Sequence, residues 1–141
     1  MTTESRFRET PKAKTLGEWA DYIHNWAVEK GWWEPKDFDE FGNPKKRNPY
    51  EVIALIHSEQ SEALEHLRNR NRNPATGEEV PLYSYWVDEK GKPDGWAIEQ
   101  IDTIVRCLDA LRSEGADVDF LMEVKTSYNN GREKRHGGKD A

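Results

Sequence analysis

A single cysteine, Cys107, in a chain of 141 residues excludes an intramolecular disulfide framework and any cysteine-built zinc cluster within one chain. Long apolar runs are missing as well. No stretch approaches the ~20 residues that a membrane-spanning helix needs, and residues 1–14 are polar with mixed charge rather than a basic segment followed by an apolar one. There is no excess of basic residues: 21 Lys and Arg stand against 27 Asp and Glu, for a net charge of −6. That balance argues against a protein that coats nucleic acid, although Arg68-Asn69-Arg70-Asn71-Arg72 is a local basic run that could attract it. Also absent are HExxH, the phosphate-binding GxxxxGK[ST] loop and the GxSxG nucleophile elbow. The expectation from these absences is a soluble cytoplasmic chain with a small ligand, no membrane partner and no nucleic-acid partner. The length suits one domain, and with 34% of residues charged a thin core points towards burial between subunits.

What is present reads as helix. Residues 1–14 lack apolar periodicity and form an arm. Thr15 opens a first helix near 15–30, with Glu18 as its capping-box partner and Leu16, Trp19, Tyr22, Ile23 and Trp26 at helical spacing, the tryptophans expected in the core. Gly31 closes it. Pro35, Gly42, Asn43, Pro44 and the basic triplet Lys45-Lys46-Arg47 mark a loop. Asn48-Pro49-Tyr50-Glu51 starts a second helix near 50–70, with Ile53, Ile56, Ala63, Leu64 and Leu67 as its apolar stripe. Residues 71–94 form a long, proline- and glycine-bearing connection, in which Pro81-Leu82-Tyr83-Ser84-Tyr85-Trp86-Val87 suits a short strand or hairpin. Asp94 is the expected cap of a third helix near 95–113, and Asp117 of a fourth near 117–131. The predicted fold is all-α: a four-helix bundle over 15–131, followed by a basic tail over 132–141.

Two acidic pairs stand out. Glu59 and Glu62 lie along the border of the second helix's stripe, and Glu99 and Asp102 along that of the third. Spacing of i, i+3 places each pair on one helix face, so two packed helices bring four carboxylates together. Such a group needs a cation, and an all-oxygen donor set suits Mg²⁺ or Mn²⁺ with phosphates completing the shell. A di-iron bundle would want Glu-x-x-His, whereas His66 follows Glu62 by four residues and Asp102 stands where a histidine would follow Glu99. Asp109 extends the acidic column, and Arg106 is placed to neutralise Asp102 at i+4. On the fourth helix Lys125, Asn129 and Arg132 align along one side, and the tail adds Arg135, His136 and Lys139, cations that can meet phosphates.

Glu59-x-x-Glu62, Glu99-x-x-Asp102, Lys125-x-x-x-Asn129-x-x-Arg132 and the ending Arg135-His136-Gly137-Gly138-Lys139 together resemble a MazG-like nucleoside triphosphate pyrophosphohydrolase of the all-α NTP pyrophosphatase superfamily. The resemblance covers roughly residues 50–139. Two departures are the Ser58 that stands where a doubled glutamate is common and the long connection between the acidic motifs. The resemblance implies Mg²⁺-dependent hydrolysis of a nucleoside triphosphate to monophosphate and pyrophosphate, by water attack on the α-phosphorus. It implies Glu59, Glu62, Glu99 and Asp102 as metal ligands, with Glu59 or Glu62 as general base, and Lys125, Asn129, Arg132, Arg135, His136 and Lys139 as substrate contacts. A homodimer or homotetramer is expected. The alternatives are a narrow dUTP or dCTP pyrophosphatase and a non-catalytic nucleotide-sensing or helical interaction protein.

Overall fold

Local capping chemistry sets most helix starts in the computed structural model, which describes residues 12–132. Thr15 Oγ1 accepts the Glu18 N–H at 3.1 Å and opens α1 (Leu16–Glu29). Asn48 Oδ1 accepts the Tyr50 N–H at 2.9 Å and opens α2 (Pro49–Arg68), whose first residue is the expected proline. Asp117 Oδ1 accepts the Phe120 N–H at 3.1 Å and opens α4 (Val118–Asn130). Between α2 and α4 run the strands β1 (Trp86–Val87) and β2 (Pro93–Asp94), paired antiparallel with Trp86 opposite Asp94, and then α3 (Trp96–Ser113). The fold is all-α with one small hairpin, as expected.

The start of α3 is a correction. Gly95, not Asp94, is the N-cap, and as glycine it offers no side-chain bond of its own to the helix. Asp94 Oδ1 instead accepts the N–H of Gly95 at 2.8 Å and lies 2.9 Å from His66 Nε2. The Trp96 N–H is taken by Asn71 Oδ1 at 2.9 Å, from the far end of the long connection. Asn71 is buried, has φ +49° and donates its amide to Val80 O at 2.9 Å. It therefore staples the exit of α2 to the entrance of α3, and the 71–94 connection closes on itself. Gly95 has φ +121°, and a Cβ there would lie 3.3 Å from Trp86 Cζ3, so glycine is required by conformation as well as by space.

Helix α3 is the common partner of the other three. The backbones of α1 and α2 pack against it; among the described residues α4 touches only α1 and α3, and α2 packs against neither α1 nor α4. Asp21 pairs with Arg112 and His24 with Asp109, so α1 runs antiparallel to α3. Glu59 pairs with Arg106 and His66 with Glu99, so α2 does too. The core is small, with Ala20, Ile23, Leu108 and Val118 at its centre and Leu16 and Val105 packed around them.

That core corrects two expectations. Trp19 and Trp26 are each 37% exposed, because Ala20, Ile23 and Ala27 are the residues that face inward and the alanines let the helices approach. On α2 the predicted stripe residues Ile53, Leu64 and Leu67 are about half exposed, while Glu59 and Ala63 are buried. The helix is rotated so that the border line with Glu59, together with Ala63 from the edge of the stripe, is buried while Ile53, Leu64 and Leu67 turn outward. Phe120, Leu121, Met122, Val124 and Tyr128 on α4 are exposed as well.

Candidate metal centre

The rotation of α2 is what builds the site. Glu59 sits one turn before Glu62 and two turns before His66, so all three project towards α3 on neighbouring turns. From α3, Glu99 in the first turn meets them. One carboxylate oxygen each from Glu59, Glu62 and Glu99 lies within 4.8 Å of the others. Both acidic pairs therefore contribute to one point between the two helices. Asp102 does not enter that group, but it is partly buried and its carboxyl is raised above the usual range, by burial first and then by the charge of Glu59, with Glu62 adding to it. Lys92 and Arg106 oppose that rise.

Burial differs sharply among the carboxylates. Glu62 is exposed, Glu59 is buried and answered by Arg106 Nε at 2.6 Å, and Glu99 is 4% exposed. Arg106 thus makes its ion pair across to the other helix, and reaches Asp102 as a neighbouring charge without bonding it. Glu99 has no such cation. Burial, followed by the neighbouring carboxyls of Glu62, Glu59 and Asp94, pushes it up to about 9. Its Oε1 is 3.4 Å from His66 Nε2, while Oε2 is buried with no hydrogen-bond partner among the described residues. Without a cation, the geometry is tolerable only if this carboxyl keeps a proton.

His66, which spacing alone places on the helix border, forms the second arm of the cluster. Its Nε2 stands between Asp94 Oδ1 at 2.9 Å and Glu99 Oε1 at 3.4 Å, and the edge of Trp86 meets its ring at a centroid distance of 5.3 Å. Burial works to raise the Asp94 carboxyl, but the Gly95 N–H, Glu99 and His66 together hold it below the usual range. Further along α2 and α3, Gln60 Nε2 donates to Thr103 Oγ1 at 2.6 Å and to Gln100 Oε1 at 3.1 Å. The α2–α3 interface is laced by polar bonds around a buried carboxyl, where an ordinary helix pair would place leucines.

Asp109, the predicted extension of the column, belongs to a different structure. It is buried, lies 2.8 Å from His24 Nδ1 and accepts the Trp33 Nε1–H at 3.0 Å. It ties α1 and the loop after it to α3 and is satisfied by those partners. Sequence reasoning did not find the roles of His66, Asp94, Arg106 and Asn71. The available signal was that His66 follows Glu59 by seven residues and so shares its helix face.

The expected phosphate contacts stand elsewhere. Lys125, Asn129 and Arg132 lie on α4 or just past it. Lys125 Nζ is 5.1 Å and the Arg132 guanidinium 5.7 Å from the ring centre of Tyr128. Among the described residues their helix, α4, packs against α1 and α3 and not against α2, and the cation–π contacts of Lys125 and Arg132 are with Tyr128. Arg135, His136 and Lys139 lie outside the described residues.

The donor set fits a hard divalent cation. Three carboxylates within bonding reach of one point, one of them buried with a bare oxygen, leave either a proton or a metal ion to balance the charge. Compared with known proteins, the chain matches no family model, no curated protein and no solved structure.

Proposed function

We propose that this chain hydrolyses nucleoside triphosphates to the monophosphate and pyrophosphate at a magnesium site between α2 and α3. The observation that carries the reading is the meeting of Glu59, Glu62 and Glu99 within 4.8 Å, with the Oε2 of the buried Glu99 unpartnered. It supports the resemblance to MazG-like pyrophosphohydrolases because two separate ExxE/ExxD motifs supply one cluster. The ligands in this reading are Glu59, Glu62 and Glu99, with Asp102, one turn further along α3 and outside that group, as the fourth. Magnesium bound there supplies neutralisation of phosphate charge and a water of lowered pKa.

The chain's own residues divide the remaining work. Arg106 holds Glu59 in place at 2.6 Å, which leaves Glu59 poorly suited to accept a proton. Glu62 is exposed and has no ion-pair partner among the described residues, so it is the general base, receiving the proton of the water that attacks the α-phosphorus. One turn before Glu59, an apolar cavity of about 430 Å³ opens between the helices, lined by Trp33, Val52, Ile56, Cys107 and Leu111. A cavity of that size and character suits a nucleobase. Lys125, Asn129 and Arg132 reach phosphate from a neighbouring chain in this reading, and Arg135, His136 and Lys139 are the further substrate contacts that the resemblance implies. The exposed apolar side chains of α2, α3 and α4 support a homodimer or homotetramer. Among the described residues no helix is long and apolar enough to cross a membrane, and a cytoplasmic nucleotide pool is the proposed setting.

A panel of ribo- and deoxynucleoside triphosphates with Mg²⁺ tests the reading. Wild-type protein is expected to release pyrophosphate, while Glu62→Gln and Asp102→Asn abolish release with helical circular dichroism nearly unchanged. Full activity in both variants refutes the site. Turnover confined to dUTP or dCTP would narrow the substrate without moving the chemistry, and nucleotide binding without any pyrophosphate would favour a sensor.

A further inference from the structure

The carboxyl of Glu99 belongs to two groups of donor atoms. One is the Glu59–Glu62–Glu99 group; the other is His66, Asp94 and Glu99, again with one atom from each within 4.8 Å of the others. The second group offers one nitrogen and two carboxylate oxygens and draws on three elements: the last turns of α2, the end of β2 and the first turn of α3. We propose that Glu99 bridges two cation positions, and that the second, formed by His66 Nε2, Asp94 and Glu99, takes a divalent transition ion such as Mn²⁺, Co²⁺ or Zn²⁺ in preference to Mg²⁺. This extends the magnesium reading, since Glu99 is common to both positions, but its own evidence is the geometry around His66.

Three observations carry it. First, the donor atoms have nearly the separations that a metal imposes. Ligand atoms held at about 2.1 Å from one ion stand about 3–3.5 Å apart, and His66 Nε2 is 2.9 Å from Asp94 Oδ1 and 3.4 Å from Glu99 Oε1. Second, the group is undersupplied with protons. Nε2 carries at most one hydrogen for two carboxylates, and the Glu99 side chain, 5% exposed, gives Oε1 to His66 and keeps Oε2 buried and unpartnered among the described residues. A bridging carboxylate uses both oxygens, one for each ion, which answers that orphan directly. Third, the ligands are held before any ion arrives. The Gly95 N–H at 2.8 Å orients Asp94, the edge of Trp86 flanks the imidazole, and Asn71 fixes the entrance of α3 through Trp96.

The choice of ion follows from the donors. Carboxylates alone favour Mg²⁺, whereas an imidazole nitrogen shifts preference towards Mn²⁺, Co²⁺ and Zn²⁺, and three protein ligands leave positions open for water or a phosphate oxygen. Two ions sharing a carboxylate about 3.5–4 Å apart form a clamp suited to a phosphoryl centre. The second position would thus let the chain bind a phosphate from two sides.

The test reads metal binding, not turnover. The full-length chain, stripped of metal, is titrated with Co²⁺ and with Zn²⁺ by calorimetry, and with Co²⁺ by visible absorption. Wild-type protein should bind two equivalents per chain. His66→Gln and Asp94→Asn should each lose one equivalent, or weaken it by more than about tenfold, while keeping the Mg²⁺ binding that Glu62→Gln removes. Glu99→Gln should weaken both. In the wild-type chain Zn²⁺ should shift the ring resonances of His66, assigned by their loss in His66→Gln; this readout does not depend on a variant folding. Unchanged Co²⁺ stoichiometry and affinity in His66→Gln, or His66 resonances unmoved by Zn²⁺, would overturn the proposal and leave a hydrogen-bonded ion pair in its place. Magnesium-dependent pyrophosphate release would survive that outcome, and the loss of that activity would leave the Co²⁺ result standing.

Discussion

In metal-free protein, stability should fall as the pH rises from 7 to 9, and Glu99→Gln should remove most of that fall. Glu99 carries a proton up to about 9 in the folded chain, against an ordinary value of 4.5. Unfolded chains lose that proton above 4.5 and folded chains keep it, so folding takes up a proton across this window. The stabilisation is fully present below the lower value and is lost as pH rises through the upper one. Each pH unit in between is worth about 1.4 kcal/mol, so two units from pH 7 to 9 give an upper bound of roughly 2.5 kcal/mol. Water reaching the exposed Glu62 edge and relaxation of the helix pair reduce this to about 1–2 kcal/mol. For a domain of this size that is a drop in Tm of roughly 3–8 °C beyond whatever the variant shows. The assay is thermal unfolding followed by circular dichroism in EDTA, at intervals from pH 6 to 10, for wild-type and Glu99→Gln chains. Glutamine has the shape of the neutral acid and no proton to lose, so its curve should be flatter and should cross above the wild-type curve at high pH. Parallel curves would refute the claim that a buried, protonated Glu99 lies at the centre of the site.

Other perturbations test the supports around it. Arg106→Met leaves Glu59 buried without its cation and should cost about 2 kcal/mol by urea unfolding in EDTA, with part of the loss recovered by Mg²⁺; no recovery would argue that Glu59 is not a ligand. Asp109→Ala removes the acceptor of the Trp33 Nε1–H and the partner of His24, and should cost about 2–3 kcal/mol with a change in tryptophan fluorescence. Gly95→Ala forces a side chain onto a backbone with φ +121° and against Trp86, and should cost about 1–3 kcal/mol in thermal unfolding; a neutral result would mean that the entrance of α3 is less constrained than its geometry indicates.

The parts legible in the sequence were those governed by local chemistry. Thr15, Asn48 and Asp117 cap their helices through side-chain bonds two or three residues away, and a reader of the chain needs no tertiary information to see them. The pairing of Glu59-x-x-Glu62 with Glu99 was legible for a related reason, since helical spacing fixes which residues share a face. What spacing does not fix is how far each helix is rotated about its axis. On α2 an apolar face and a polar line compete for α3, and the polar line wins because the half-buried Arg106 and the buried Glu99 answer Glu59 and His66 on it. The same ambiguity misplaced Trp19 and Trp26, where the small Ala20 and Ala27 make the closer contact. Asp94 was misread because a good capping residue followed by glycine can also turn back to a distant histidine. That outcome depends on Asn71, twenty-five residues from the N–H it accepts, and no local rule contains it.

Isotope transfer reads directly where a triphosphate is cut. A nucleoside triphosphate hydrolysed by the wild-type chain in ¹⁸O-water with Mg²⁺, analysed by mass spectrometry, should give labelled monophosphate and unlabelled pyrophosphate, with Glu62→Gln giving neither. Label in orthophosphate or in pyrophosphate, or no Mg²⁺-dependent cleavage of any triphosphate, would contradict the account.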